Sequence, residues 1–429
     1  MTTDLRVLDP SEWDRWFGTL ERAFGGALTD SAEGREAWRS VTEHERSIGV
    51  WDGEECVGTA GAFTFGLTVP GGAVVSAAGV TAVSVAATHR RRGILTSMMR
   101  RQLDDVRAWG QSVALLTASE PEIYGRFGYG VGTRQLSAEI DSSRVSVRVP
   151  ADAGGARDAG GAGGGSGAGG IRLRFVAVDD ARKPIESLYA RLVATRPGML
   201  ERRPGWDRKL LIDSPEGREG AGALQCVLAR RGEGDDAETV GYALYRIKPV
   251  WDAAGPNGTV VVDQVAALEP VAYASLWRFL TDIDLTSTVS VANLPVDDPI
   301  QFLVSDVRRA RVGVRDSLHV RLVDVGTALA ARAYQTPVNV VLEVDDAFCP
   351  WNEGRWRLTG DASGASCERT ADTADLSLSV RELGAMYLGD SSPAALARAG
   401  LVRELRPGAL TEASVAFGSP VAPWLPHGF

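Results

Sequence analysis

Trp13, Trp16, Phe17, Leu20 and Phe24 recur at helical spacing behind Pro10 and Ser11, so the chain opens with an amphipathic helix. From Ser47 to Val85 the pattern changes to short β-rich runs separated by Asp52-Gly53 and Pro70-Gly71-Gly72, the punctuation of antiparallel hairpins. AVSV at 82–85 is followed by Leu95, Met99, Leu103 and Val106 on one helical face up to Gly110, and then by the unbroken apolar run VALL at 113–116. Strand, helix and fully apolar strand predict a βαβ unit with a right-handed crossover.

Residues 260–293 repeat that order, and Val265-Ala266-Ala267 aligns with Val85-Ala86-Ala87. On this register Pro270, Val271, Ala272 and Tyr273 replace Arg90, Arg91, Arg92 and Gly93, so the second copy keeps a scaffold and loses a basic loop. One anion site per chain is expected. Beyond about Arg315, VRLVDVGTALAARAY reads as strand and helix, NVVLEVD, RWRLTG and DLSLSV as strands, and VRELGAMYLGD as a helix start. Strands with helices packed on one side suggest α+β. The segment 151–170 is half glycine with almost no large apolar side chain, which predicts a linker or long loop. The expected organisation is 1–150, the glycine-rich 151–170, 171–314 and 315–429.

At 429 residues, 44% hydrophobic and 24% charged, the chain falls in the soluble globular class with about three domains of ordinary size. A net charge of −9 argues against nucleic acid and for cationic partners. Cys56, Cys226, Cys349 and Cys367 lie far apart with no ligand spacing, so buried reduced thiols are expected, with no metal site and no disulfide framework. MTTDLRVLDPSEWD lacks a basic segment followed by an apolar run, and no 18-residue apolar window occurs elsewhere, so no membrane span and a cytoplasmic location are expected.

The stretch HRRRGILTSMMRRQL, 89–103, places three arginines and a glycine between a strand and a helix. A helix N-terminus presents unpaired N–H groups and a partial positive charge, which together bind anions. Gly93 removes the Cβ that would hold a phosphate off the backbone, and guanidinium forks grip its oxygens in pairs. The plain alternative is a solvated helix start.

VSVAATHRRRGIL resembles the acyl-CoA motif of the GNAT N-acetyltransferases: Arg90 and Gly93 match its core, and Leu95 stands where a small residue is usual. Within that class, ASEPEIYGRFGYG at 118–130 resembles the Eis subgroup, in which a triple arginine before Gly and two aliphatics is the normal form. FCPWNEGRWRL at 348–358, LGAMYLGD at 383–390 and the terminal phenylalanine resemble the subgroup's third domain, which is similar to sterol carrier proteins. The resemblance implies two tandem GNAT-like domains, the second degenerate, then a sterol-carrier-like α+β domain. It also implies a homo-hexamer and acetyl transfer from acetyl-CoA to amines, including several amines of one aminoglycoside.

Acetyl transfer to an amine needs a free nitrogen lone pair, donors for a developing oxyanion and a proton for the departing thiolate. The backbone of Val83, Ser84 and Val85 could face the pantetheine arm. The resemblance implies the same placement, with Arg90, Arg91, Arg92, Gly93 and Ile94 on the pyrophosphate. A phenol is neutral near pH 7, and the resemblance makes Tyr124 the general acid, with Ser119 lining the same site. Packing beside Phe127 and Tyr129 is the alternative for Tyr124.

The tail PVAPWLPHGF is rich in Pro, Trp and Phe, which favours docking, and the resemblance makes the carboxylate of Phe429 the general base. Trp38 falls where the family places an aromatic against substrate, and an indole face suits a cation; core packing is its alternative. Glu33 and Glu36 are candidate negative charges nearby. The reading is an acetyl-CoA-dependent N-acetyltransferase of small cationic amines such as aminoglycosides, with protein lysines as a further acceptor class. A non-catalytic binder of lipid or cationic ligands is the rival.

Overall fold

The alternation between Glu55 and Val85 folds into two long antiparallel strands, and the architecture grows around them. In this computed structural model the described residues are 3–26, 31–150, 170–232, 234 and 237–429; apart from Gly170, the glycine-rich segment lies outside them. The chain forms two compact units, Met1–Arg134 with Ala194–Lys209 and Asp316–Phe429, and Gln135–Val193 with Leu210–Arg315.

In the first unit, β1 (Asp4–Val7), α1 (Trp13–Ala23), α2 (Ala32–Val41), β2 (Ile48–Asp52), β3 (Glu55–Thr68) and β4 (Val74–Val85) lead to α3 (Ile94–Ala108), β5 (Val113–Thr117), α4 (Glu122–Gly125) and β6 (Gly130–Val131). Helix α1 buries Trp13, Trp16, Phe17 and Leu20, each contributing on the order of 2 kcal/mol. The Trp16 indole donates to the Ile48 carbonyl at 2.8 Å. Met98, Met99, Leu103 and Val106 of α3 are fully buried against the sheet, and Gln102 donates to the Gly61 carbonyl at 2.8 Å. As expected, β4 and β5 run parallel around this crossover helix.

The sheet has seven strands in the order β1-β2-β3-β4-β5, Leu318–Leu322, β6. Leu318–Leu322 pairs antiparallel with both β5 and β6, so the first sheet is completed by a strand almost two hundred positions downstream of β6. Helix Val325–Ala330 then leads into a five-stranded sheet in the order Gly364–Arg369, Gly354–Asp361, Val338–Asp345, Leu376–Ser379, Val402–Glu404, with short helices such as Val380–Met386 and Ala409–Ala416.

The second unit carries its own seven-stranded sheet. β7 (Arg134–Asp141) is next to its Gly313–Asp316 edge strand, and the parallel pair Gly258–Ala267 and Thr286–Leu294 flanks helix Pro270–Thr281. The repeated strand-helix-strand is therefore present, but the residue alignment is corrected. The second helix begins at Pro270 with Glu269 at its N-cap, whereas α3 begins at Ile94 with Gly93 at its N-cap. Proline suits the first helical position, so it sets the start. Glu269 therefore stands where Gly93 does, and the arginine loop is missing rather than replaced. The Arg231 guanidinium grips the Glu269 carboxylate, with Nε at 2.8 Å, so the second copy carries an anion of its own at that helix start. Among the described residues no helix is long and apolar enough to cross a membrane.

Candidate active site

Strands β4 and β5 pair through Ala77–Val113, Ala78–Ala114 and Gly79–Leu115 and then part, although β4 runs on to Val85 and β5 to Thr117. The parting exposes β4 backbone on one side, and Ala82, at φ +53°, marks the bulge that turns this segment. Ser84 is fixed from behind by Thr59, whose hydroxyl lies 2.7 Å from the Ser84 hydroxyl and donates to the Ala82 carbonyl at 2.7 Å. The bulge breaks the alternation: Thr81 stands opposite Gly61 and Ser84 opposite Thr59, so these two share one face of β4, while Val83 and Val85 pack on the other face with α3.

A cleft of about 590 Å³ opens there, lined by Val83, Ser84, Val85, Arg90, Arg91, Gly93, Ile94, Ser119 and Tyr124 among others. Nine of the proposed cofactor and catalytic residues thus meet in one cavity. Arg92 is exposed beside them and does not form its wall. The loop into α3 is braced at His89, whose ring contacts the Thr88 hydroxyl at 2.8 Å and the Asp52 carboxylate at 3.3 Å. Gly93 has φ +80° and Arg91 φ +61°, the left-handed region that glycine adopts freely and arginine does not.

No side chain caps α3 and no acidic residue occupies its first turn. A Cβ placed on Gly93 would meet nothing within 4 Å. An open, uncapped helix start flanked by arginines fits a diphosphate, and the unpaired β4 edge fits an amide-bearing arm.

Tyr124 sits on α4, half-buried, its ring 6.0 Å from that of Tyr129 at a steep angle. Burial pushes its phenol up to about 12, with the Glu120 carboxylate adding to the shift, so the group carries its proton throughout the neutral range. The turn bearing it is anchored by Arg321, whose Nε donates to the Phe127 carbonyl at 2.8 Å while Nη2 reaches both Asp346 oxygens at 2.8 Å. Both side chains of this pair are buried. Phe348 packs on Phe127 at 5.0 Å.

Phe429 and Trp38 lie outside the cleft wall. The terminal residue docks by its ring, 5.2 Å from Phe65, and its carboxylate accepts a hydrogen bond of 3.1 Å from Thr81, on the face of β4 that Ser84 shares. Phe65 in turn packs 5.3 Å from Trp206, which lies 5.1 Å from Phe63, and Phe63 lies 6.1 Å from Trp38. His427 stacks on Trp206 at 6.0 Å. Burial, with the positive charges of Arg202 and Lys209, depresses its pKa to about 3, so its ring is neutral. Sequence reasoning missed Thr81, Trp206, Lys209 and the α1 end residues Ala23 and Phe24 that close the cleft. No local signal marks Thr81, because the bulge at Ala82 breaks the alternation of β4.

A parted parallel strand pair, with an uncapped helix start beside it, defines a GNAT-type N-acetyltransferase. The acetyltransferase (GNAT) domain model matches residues 4–132, and a second acetyltransferase (GNAT) domain model matches 198–322. The sterol carrier protein domain model matches 325–426. The chain is 60% identical to an N-acetyltransferase of Streptomyces avermitilis over all of both chains, and 33% identical to N-acetyltransferase Eis of Mycobacterium bovis over 97% of each. The crystal structure of Eis1 from Mycobacterium abscessus superposes over the whole of both chains with a TM-score of 0.79 at 33% identity. A GCN5-related N-acetyltransferase from Anabaena variabilis, at 19% identity, shares the fold with a TM-score of 0.81. The chain belongs to the Eis family of N-acetyltransferases, with two GNAT domains followed by a sterol-carrier-like domain. It is an enzyme, which decides against the non-catalytic binder, and GNAT acetyltransferases use acetyl-CoA.

Proposed function

We propose that this enzyme transfers acetyl from acetyl-CoA to primary amines of small molecules, including polyamines and aminoglycosides, at more than one position where several amines are available. The observation that carries the reading is the single cleft joining the unpaired β4 edge, the open start of α3 and Tyr124, with the terminal carboxylate hydrogen-bonded to Thr81 of the same strand. Arg90, Arg91, Gly93 and Ile94 hold the diphosphate, with Arg92 adding charge from outside. Val83, Ser84 and Val85 align the pantetheine arm, and Ser119 lines its far side. Acetyl-CoA supplies the activated acyl group.

The chain's own groups then move protons. Tyr124 donates its phenolic proton to the departing thiolate. The Phe429 carboxylate, oriented by Thr81, takes the proton lost by the amine. Trp38 stands on the acceptor side as a cation-binding face. Family likeness also supports protein lysines as further acceptors, a cytoplasmic location and a homo-hexamer, whose mass sedimentation would read directly.

Thiol release from acetyl-CoA is the test, measured with a polyamine, an aminoglycoside and a lysine-containing peptide, with acetyl groups counted by mass on each product. Turnover with the small amines is expected. No CoA release with any amine overturns the reading.

A further inference from the structure

The chemistry above leaves Lys209 without a task. It ends the four-residue helix Trp206–Lys209, and its Nζ lies 4.3 Å from the Trp38 ring centroid and 4.5 Å from that of Trp206. Among the described residues no carboxylate pairs with it, and burial alone lowers its pKa, to about 8. An ammonium partly stripped of water and met by two indole faces instead of an anion is an unusual use of a lysine.

Its surroundings connect it to the acceptor side. Trp206 packs on Phe65, Phe65 on the Phe429 ring, and the Phe429 carboxylate is the base of the proposed reaction. The indole pair and the base therefore belong to one continuous aromatic wall. Two acidic groups, in α2 and just after it, are already engaged by the chain's own cations. Glu33 pairs with Arg208 at 3.3 Å, and Glu43 with Arg203 at 2.7 Å.

We propose that Lys209 is a specificity-determining residue of the acceptor side: its ammonium occupies the Trp38–Trp206 indole pair as an internal cation, so that the second charge of a dicationic acceptor is held less tightly than the unoccupied indole pair would hold it. The proposal rests on the amine-acetyltransferase reading, with Trp38 facing the acceptor. A monoamine delivers its one nitrogen to the Phe429 carboxylate and has no second charge to seat. A diamine brings a further ammonium, and the faces suited to it are filled by a like charge. It must displace Lys209 or remain beside it unpaired.

The experiment compares the full-length enzyme with Lys209→Ala and Lys209→Arg, using acetyl-CoA with 1,4-diaminobutane and with n-butylamine. The readout is the ratio of the two KM values. Lys209→Ala is expected to lower the diamine-to-monoamine ratio about tenfold, the scale of one cation–aromatic contact set, and Lys209→Arg to keep the wild-type ratio. An unchanged ratio in Lys209→Ala, or an equal change in Lys209→Arg, overturns the proposal. Melting curves confirm folding, and Lys209→Met replaces the alanine variant if that one is unstable.

Wild type that releases no CoA with these two amines or with any other amine defeats the parent reading instead. Calorimetric titration of 1,4-diaminobutane into both proteins still reads the indole pair in that case: tighter binding to Lys209→Ala supports the proposal, and equal affinity overturns it.

Discussion

The Thr81 hydroxyl donates to the terminal carboxylate of Phe429 at 3.1 Å, across 348 positions of sequence. A chain end normally frays, yet this one is seated by its ring and by its charge. Two residues added after Phe429 would replace the carboxylate by an amide and displace the charge. Turnover is expected to fall by about a hundredfold or more, the usual contribution of a general base, with acetyl-CoA affinity retained in calorimetry. A C-terminally extended protein of full activity removes Phe429 from the reaction.

Tyr124→Phe keeps the packing on Tyr129 and removes the proton. The rate is expected to drop about a hundredfold with little change in cofactor binding. Because burial holds the phenol near 12, ionisation of Tyr124 should produce no alkaline fall in the wild-type rate between pH 7 and 10. A pH–rate profile for both proteins checks this.

Gly93→Ala separates strain from ligand contact. The left-handed backbone at φ +80° makes a methyl group cost about 1 kcal/mol, and nothing within 4 Å clashes with it. Melting should shift by a few degrees only. Acetyl-CoA affinity should fall about tenfold or more, because the methyl occupies the approach to the helix amides. Equal affinity would place the diphosphate elsewhere.

Asp346→Asn leaves the fully buried Arg321 guanidinium without its counter-ion, a loss of about 3–5 kcal/mol measurable by urea unfolding. Arg321 also holds the Phe127 carbonyl, so the variant should lose kcat more than KM as the Tyr124 turn loosens.

His427 makes stability depend on acid. Its folded-state pKa is depressed to about 3 from an ordinary value of about 6.5, so above pH 6.5 the ring is neutral folded or unfolded. As pH falls below 6.5 the unfolded chain takes up a proton that the folded chain refuses, and stability declines until about pH 3. At pH 5 the loss is about 2 kcal/mol. Melting temperatures from pH 8 to pH 5 should fall more steeply in wild type than in His427→Phe.

Much of the cleft was readable because its signals are local. Leu95, Met99, Leu103 and Val106 announce α3, Gly93 and the arginines announce its open start, and VALL announces the second parallel strand. The aromatic and proline content of the tail announced docking, though not its partner Thr81. What stayed hidden depends on distance along the chain. LHVRL at 318–322 fits any apolar sheet, and nothing within those five residues says that they lie beside β5. Lys209, in the basic run ERRPGWDRK, reads as a solvated charge until Trp38 and Trp206 close on it. The start of the second helix went astray because aligned identities outweighed proline's preference for the first helical turn.

The strand Leu318–Leu322 carries a consequence for synthesis. Until it leaves the ribosome, β5 has a bare hydrogen-bonding edge next to an apolar core, and the chain holding it already exceeds three hundred residues. Such late, long-range closure makes folding slow and leaves the nascent first sheet open to pairing with a neighbour's edge. Truncation before Leu318 should therefore yield aggregates rather than a smaller working enzyme.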